Sequence, residues 1–104
     1  AYEFLGQAYF DFGDYDQSLD LFFQSLRIRE KIRDKEGTAQ SLMQIGAVYD
    51  AWGKLEKAED YYKRALKLWE SLEQATGLAT VYTHLGQLHD KRRAYGQALN
   101  YLNK

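Results

Sequence analysis

The two histidines are the side chains of this sequence best suited to metal binding or proton transfer. His84 and His89 are five positions apart in a predicted helix. That spacing places them on different faces, whereas a helical metal pair needs a spacing of four. We expect His89 to be a half-buried core residue and His84 to face a groove. No Ser-His-Asp arrangement, glycine-rich phosphate loop or paired acidic motif stands out, so we predict a protein that is not an enzyme, with no cofactor and no metal.

The composition excludes several classes of protein. The 104 residues include no cysteine, which removes disulfides and cysteine-based metal chemistry and fits a reducing cytoplasm. A net charge of −1 lacks the basic signature of a nucleic-acid-binding domain, and no run of about 18 apolar residues predicts a membrane span. The first residue is Ala1 rather than methionine, from which we expect an excised fragment. We expect a cytoplasmic location for the protein, in keeping with the absence of cysteine.

Two features point weakly to nucleic acid. Basic residues alternate with apolar and acidic ones over 27–35, and aromatic residues make up 15% of the chain. A solvated helix face explains the alternation better. The aromatic residues recur at repeat positions, which favours a core over a surface for base stacking. We therefore expect no nucleic-acid partner.

An internal repeat organises the elements that would position any site. Written in rows of forty, the sequence aligns without gaps as 40, 40 and 24 residues. We predict a single domain over 1–104, with repeat 1 at 1–40, repeat 2 at 41–80 and a partial repeat 3 at 81–104. The shared columns hold Leu5-Gly6, Ile45-Gly46 and Leu85-Gly86, then Tyr9, Tyr49 and His89, then Gly13 and Gly53.

These columns resemble the tetratricopeptide repeat, which reads W-x2-L-G-x2-Y followed by small, aromatic and proline positions. The proline column here carries Glu30 and Glu70, and the period is forty rather than thirty-four. Such a variant is similar to those of Pins-type polarity adaptors and bacterial signalling proteins. The resemblance implies an all-α fold, a right-handed α-solenoid of antiparallel helix pairs about two and a half repeats long. Without the proline, we expect each second helix to run on for about a turn and a half.

Apolar residues at steps of three and four define the helices. In the third row, Arg93 replaces the glycine that ends the first helix, so we expect this turn to be the least well specified. The pattern predicts helices over 1–12, 15–34, 38–52, 55–75, 78–92 and 95–104.

Three small or polar residues supply local signals. Gly53 is placed to end a helix in the left-handed conformation, and Asp14 followed by Gln17 predicts a helix N-cap. A glycine inside a helix costs about 1 kcal/mol relative to alanine. The recurring helical glycines therefore predict close helix contact, with Gly46 opposite Ala58 or Ala65.

The resemblance also implies a site, because the first helix of each pair lines a concave groove that holds a peptide or helix from a protein partner. The repeated aspartates 11, 50 and 90 weakly favour a basic or amphipathic partner. We expect adaptable apolar contact from the methionine and phenylalanine and hydrogen bonds to a peptide backbone from the glutamines. The predicted groove residues are Glu3, Gln7, Phe10, Asp11, Met43, Gln44, Ala47, Asp50, Ala51, Thr80, Thr83, His84, Gln87, Asp90 and Lys91.

Two alternatives to a peptide-binding scaffold stay open. Residues 1–20 carry five acidic and no basic side chains, whereas residues 91–104 carry four basic and no acidic ones. Opposite charge at the two ends suggests an assembly module that stacks head to tail, with apolar residues such as Tyr101 and Leu102 exposed at its tail. The other alternative is a regulatory sensor segment of a larger signalling protein.

Overall fold

The structure is a computed structural model that describes the backbone of residues 2–102 and the side chains of residues 4–94. Over the described residues the chain is all helix, without a strand, and consecutive helices pack on one another in chain order. The predicted all-α class is confirmed. The helices are α1 (Tyr2–Asp11), α2 (Tyr15–Lys31), α3 (Lys35–Ala51), α4 (Leu55–Leu72) and α5 (Ala75–Leu102).

Four turns of one type separate the helices, and they recur every twenty residues. Their central residues Gly13, Arg33, Gly53 and Glu73 all have positive φ, between 53° and 84°. At each turn, two backbone N–H groups donate back to the last turn of the preceding helix, as Gly53 does to Asp50 (3.1 Å) and the residue after it to Tyr49 (2.9 Å). This pair of hydrogen bonds is the Schellman motif, which satisfies the otherwise unpaired carbonyls of a helix end.

Two of the following helices begin at an aspartate cap. The Asp14 carboxylate accepts from the backbone N–H of Gln17 at 3.4 Å, which confirms the predicted N-cap of α2. Asp34 accepts from the backbone N–H of Gly37 at 2.9 Å, a cap of α3 that the sequence reasoning did not identify. In α4 the same position is Lys54, which makes no side-chain cap bond. The start of α4 is therefore fixed by the preceding turn and by packing rather than by a cap.

The second helix of each complete pair lays an aromatic ring on the glycine of the first. A Cβ added at Gly6 would lie 2.9 Å from the Phe22 ring, and one added at Gly46 would lie 2.8 Å from the Tyr62 ring. The prediction of close contact is correct, but the partner of Gly46 is this ring rather than Ala58 or Ala65. A buried hydroxyl adds to the first contact, since Ser18 Oγ donates to the Gly6 carbonyl at 2.8 Å.

Several predicted helix limits are wrong by about three residues. The second helices end at Lys31 and Leu72 rather than at 34 and 75, and the first helices begin at Lys35 and Ala75 rather than at 38 and 78. The reason is that Arg33 and Glu73 adopt the left-handed conformation without being glycine. The sequence has no glycine at this position to mark the turn. Because the turn comes early, part of the extra length of the forty-residue repeat lies at the start of the first helices.

The largest correction concerns the end of the chain. The predicted helices 78–92 and 95–104 are one continuous helix, α5, as far as Leu102. Locally the sequence favours this outcome, because Arg92, Arg93 and Ala94 are good helix formers and alanine is a poor N-cap. Tyr101 and Leu102, predicted to be exposed, have side chains outside the described ones.

Because α5 does not turn back, one face of it has no neighbour among the described residues. No atom lies within 4 Å of a Cβ added at Gly86, and Tyr82 is 56% exposed. His89, predicted to be half buried, is exposed on this side as well. We call Tyr82, Gly86 and His89 the uncovered face of α5. Close helix contact, predicted for all three helical glycines, is present at Gly6 and Gly46 and absent at Gly86.

Candidate protein-binding groove

Two clefts lie along one side of the molecule and share part of their walls. The larger, of about 410 Å³, is bounded by α3 and α5. The smaller, of about 60 Å³, lies between α1 and α3. Gln44 and Ala47 line both clefts. The two clefts therefore adjoin at α3, and we call them together the groove.

An indole forms the floor of the larger cleft. Trp69 of α4 is only 4% exposed, and its Nε1–H donates to Met43 Sδ at 3.1 Å. Gly77 packs against the indole so closely that a Cβ there would overlap the ring. Gln74 donates to Glu36 at 3.4 Å and links the α4–α5 turn to the start of α3. The floor is thus apolar and fixed on three sides by α3, α4 and α5.

Two polar atoms beside the groove have no hydrogen-bond partner. They are the side-chain carbonyl oxygen of Gln44 and the hydroxyl oxygen of Tyr62, both buried. Burial, and secondarily the nearby Asp50 carboxylate, raise the pKa of Tyr62, so its hydroxyl stays protonated. Its ring stacks on His84 with centroids 5.3 Å apart. An unpaired buried acceptor costs about 1–3 kcal/mol, so a ligand N–H that reached Gln44 would recover part of that cost.

The acidic column of the groove is partly neutralised within the molecule. Lys91 Nζ of α5 lies 2.6 Å from Asp50 Oδ1 of α3. In α1, Asp11 accepts a hydrogen bond from Gln7 at 3.1 Å. The ion pair ties the two first helices together across the groove, and it removes the middle carboxylate from those that a basic partner would meet.

The structure brings together only part of the predicted groove set. Gln7, Phe10, Met43, Gln44, Ala47, Thr80 and His84 line a cleft. Asp50 and Lys91 pair with each other beside the groove. The side chain of Glu3 lies outside the described ones. The other predicted groove residues are exposed and line neither cleft: Asp11, Ala51, Thr83, Gln87 and Asp90.

The sequence reasoning missed the residues at the α4–α5 end of the larger cleft. Glu36 and Gln40 precede Met43 at helical spacing. Glu36 was omitted because α3 was predicted to begin at 38 instead of Lys35, whereas Gln40 lies within the predicted helix but was not assigned to the groove. Trp69 was assigned to the core, which is correct for most of its surface, but it also forms the cleft floor. The missed lining residues are Glu36, Gln40, Trp69, Gln74, Thr76 and Gly77.

The described residues contain neither a metal-binding cluster nor a helix suited to a membrane. Over that part of the chain, no group of three or more His, Asp or Glu side chains is placed to hold a metal ion. None of the helices there is both long enough and apolar enough to cross a bilayer.

The fold and the groove define a helical-repeat protein of the kind that supports protein interaction. A family model of the tetratricopeptide repeat matches residues 1–71 and again residues 53–104. The chain belongs to the tetratricopeptide repeat family. A comparison with curated proteins gives no match.

Solved structures of longer proteins contain a similar arrangement of helices. The crystal structure of the apo form of RapI superposes with a TM-score of 0.76 at 27% identity, over 92% of this chain and 35% of that one. BtubC from P. vanneervenii superposes with a TM-score of 0.76 at 26% identity, over 88% and 37%. This chain therefore spans about a third of those proteins.

A designed protein, DA05, solved by solution NMR, has the same fold at similar size. Its TM-score is 0.75 at 23% identity, over 81% of this chain and 84% of the designed one. The likeness shows the fold alone, because identity is low and fold does not specify function.

Proposed function

We propose that this chain is a non-enzymatic protein-interaction scaffold that binds a peptide or helical segment of a partner in the groove formed by α1, α3 and α5. The observation that carries the proposal is the larger cleft, with its apolar floor and polar rim. Such a cleft accepts one large apolar side chain of a partner while its rim hydrogen-bonds the adjoining peptide groups.

The partner's chemistry follows from the lining. The cleft floor of Trp69 and Met43 suits an apolar side chain, and the unpaired Gln44 carbonyl suits a backbone N–H donor. The Asp50–Lys91 pair leaves the groove with less free negative charge than the aspartate column suggested. An amphipathic segment therefore fits better than a strongly basic one.

Selection from a random peptide library displayed on phage, followed by titration of the selected peptide, tests the proposal. Trp52→Phe leaves Trp69 as the only tryptophan, so its fluorescence reports directly on occupancy of the larger cleft. We expect a saturable change with micromolar affinity. Selected peptides that bind without changing Trp69 emission would place the site elsewhere and refute the groove assignment.

Matched glutamine substitutions supply the control. Gln44→Ala removes a groove residue, whereas Gln24→Ala makes the same change on α2, where the side chain bonds only to Asp20 among the contacts described. We expect Gln44→Ala to weaken binding about tenfold, since it removes a buried hydrogen bond to the ligand, and Gln24→Ala to leave affinity unchanged. Equal effects would contradict the proposal.

The regulatory-segment alternative stays a prediction, and the sequence flanking residues 1–104 in a longer protein would test it. A fused catalytic or DNA-binding domain there would favour this alternative. The groove proposal does not depend on the outcome, because its test uses the chain alone.

A further inference from the structure

The groove presents different chemistry at successive points along α3. Glu36, Met43, Gln44 and Ala47 follow one another on the side of α3 that lines the larger cleft. At a rise of 1.5 Å per residue, Glu36 and Gln44 lie about 12 Å apart along the helix axis. The smaller cleft adjoins the larger one at the Gln44 end, because Gln44 and Ala47 line both. A segment bound along the groove therefore meets these residues in a fixed order.

The end of the larger cleft at Glu36 is negatively charged. Among the described residues that line the two clefts, Glu36 is the only carboxylate, and none is a lysine or an arginine. Glu36 is exposed, and among the described contacts its carboxylate accepts only the 3.4 Å hydrogen bond from Gln74. Asp50, by contrast, is paired with Lys91. A partner's cation would therefore meet an unneutralised carboxylate at Glu36.

The two clefts differ in the size of the side chain that they admit. The larger one, of about 410 Å³, has the buried Trp69 indole as its floor and Met43 beside it. The smaller one, of about 60 Å³, is walled mainly by apolar side chains, including those of Phe10, Ala47 and Val48. A leucine or an aromatic side chain fits the larger cleft, whereas the smaller one fits alanine or valine.

The side-chain carbonyl of Gln44 favours an extended partner over a helical one. This oxygen is buried and has no hydrogen-bond partner among the described residues. The backbone N–H groups in the interior of a helix are already bonded within the helix. A segment in an extended or polyproline II conformation keeps its N–H groups free. Because Gln44 stands between the two clefts, the donor would belong to a residue between the two side chains that fill them.

We propose that the groove recognises an extended partner segment in a single register: a basic side chain beside Glu36, a large apolar side chain on Trp69, an N–H donor at Gln44 and a small residue in the smaller cleft. This register rests on the proposed function, because it specifies the segment that the groove would hold. An extended chain rises about 3.3 Å per residue and covers the distance of about 12 Å from Glu36 to Gln44 with about four residues, so about six residues hold all four features.

Charge exchange at Glu36 tests the basic position. The probes are random peptides displayed on phage, selected on the Trp52→Phe chain and sequenced, and we expect those that change Trp69 emission to share the basic, large apolar and small residues in that order along the groove. Glu36→Lys should weaken their binding about tenfold, and a peptide with glutamate in place of the basic residue should bind this variant again. Glu70→Lys, an exposed site on α4 that lines neither cleft, is the matched control and should leave affinity unchanged.

Exchange of size tests the small position. Leucine in place of the small peptide residue should weaken binding about tenfold, since the smaller cleft has no room for it. Phe10→Ala enlarges that cleft and should restore the affinity of the leucine peptide. Phe4→Ala makes the same change on α1 at a side chain that is 80% exposed and lines neither cleft, so it should not restore affinity.

Methylation of the peptide backbone tests the donor to Gln44. An N-methyl group on the residue between the two apolar side chains should weaken binding to the parent about tenfold, because it removes the hydrogen bond. The same methyl group should have little further effect on binding to Gln44→Ala. Equal effects of methylation on the two proteins would overturn the extended register.

Failure of the register and failure of the groove give different results. Selected peptides that bind without changing Trp69 emission would refute the groove itself. Peptides that change Trp69 emission but bind Glu36→Lys as tightly as the parent, or that accept leucine at the small position, would overturn the register and leave the groove proposal standing.

Discussion

The face of α3 around Gly46 and the face of α5 around Gly86 carry the same sequence columns and have opposite environments. Around Gly46, the ring of Tyr62 from α4 packs on the glycine, and Leu42 and Tyr49 are buried. Around Gly86, the tyrosine and histidine of these columns are exposed, since no second helix packs there among the described residues. Burial in this array is therefore decided by the neighbouring helix and not by the column. The glycine of this column is closely packed in the second repeat, at Gly46, and exposed in the third, at Gly86.

The largest expected effect on stability is at Tyr62, whose ring covers Gly46. Tyr62→Ala removes a fully buried ring from the contact with Gly46 and should lower the free energy of unfolding by about 3–5 kcal/mol. Tyr82→Ala, on the uncovered face, should cost less than about 1 kcal/mol because the ring is mostly exposed. Urea denaturation of both variants checks this. Similar losses would show that the two faces are equally buried in solution.

The glycines should respond to substitution with opposite sign. Gly46→Ala adds a Cβ 2.8 Å from the buried Tyr62 ring and should destabilise the protein by about 1–2 kcal/mol. Gly86→Ala meets no atom within 4 Å and should stabilise α5 by up to about 1 kcal/mol through helix propensity. Thermal unfolding followed by circular dichroism provides the measurement. A stabilising Gly46→Ala would contradict the packing described.

Substituting a turn residue tests whether the turn sequence or the packing of the second helix decides that the second repeat turns back and the third does not. Gly53→Arg copies the third row into the second and places arginine at φ +84°, with an expected cost of about 1–2 kcal/mol. We expect the turn to persist, because α4 remains packed on α3 and Arg33 already adopts positive φ. Circular dichroism and urea denaturation measure the two parts of this prediction. Loss of compactness in Gly53→Arg would assign control to the turn residue.

The smallest effect concerns the ion pair between Arg92 of α5 and Glu59 of α4. Lys63, which donates to Glu59, together with the charge of Arg92, holds the pKa of the Glu59 carboxyl below its ordinary value of 4.5. The folded chain therefore binds this proton more weakly than the unfolded chain. The resulting stability is present at neutral pH and is lost as the pH falls through the lowered pKa.

Glu59→Gln should remove this contribution. We expect a loss of about 0.5–1 kcal/mol at pH 7 and a smaller decrease in stability between pH 5 and pH 3 than the unsubstituted chain shows. Asp60→Gln is the matched control, because Asp60 pairs only with exposed Arg64 on α4 among the ion pairs described. If both variants keep the same acid dependence as the parent, Glu59 does not link α4 to α5 in solution.

Most of the fold was predictable because its signals are local and repeated. Residue type and spacing predict the helical periodicity, the N-cap at Asp14 and the left-handed conformation of Gly53. The structure confirms all three. The left-handed turns at Arg33 and Glu73 were not predictable from residue type, because neither residue favours that conformation. They form because packing of the adjacent helices and the Schellman hydrogen bonds outweigh the local cost.

The groove was predictable in its middle and not at its end. Met43, Gln44 and Ala47 follow from the repeat phase, and they line the larger cleft. The contribution of Trp69 required knowing that a core side chain also forms the cleft floor. Asp50 and Lys91 are forty-one positions apart on two helices. Their pairing could not be predicted from the repeat pattern, because alignment of the repeats does not give distances between side chains.

The sequence alone determined that this protein is a stack of helices in forty-residue repeats, because apolar spacing and turn glycines act within a few residues of each other. Only the tertiary structure decided which faces are covered, how Asp50 is neutralised and that α5 continues past Arg93. Those outcomes depend on contacts between helices distant in sequence, where the free energy of packing selects among conformations that local propensity leaves nearly equal.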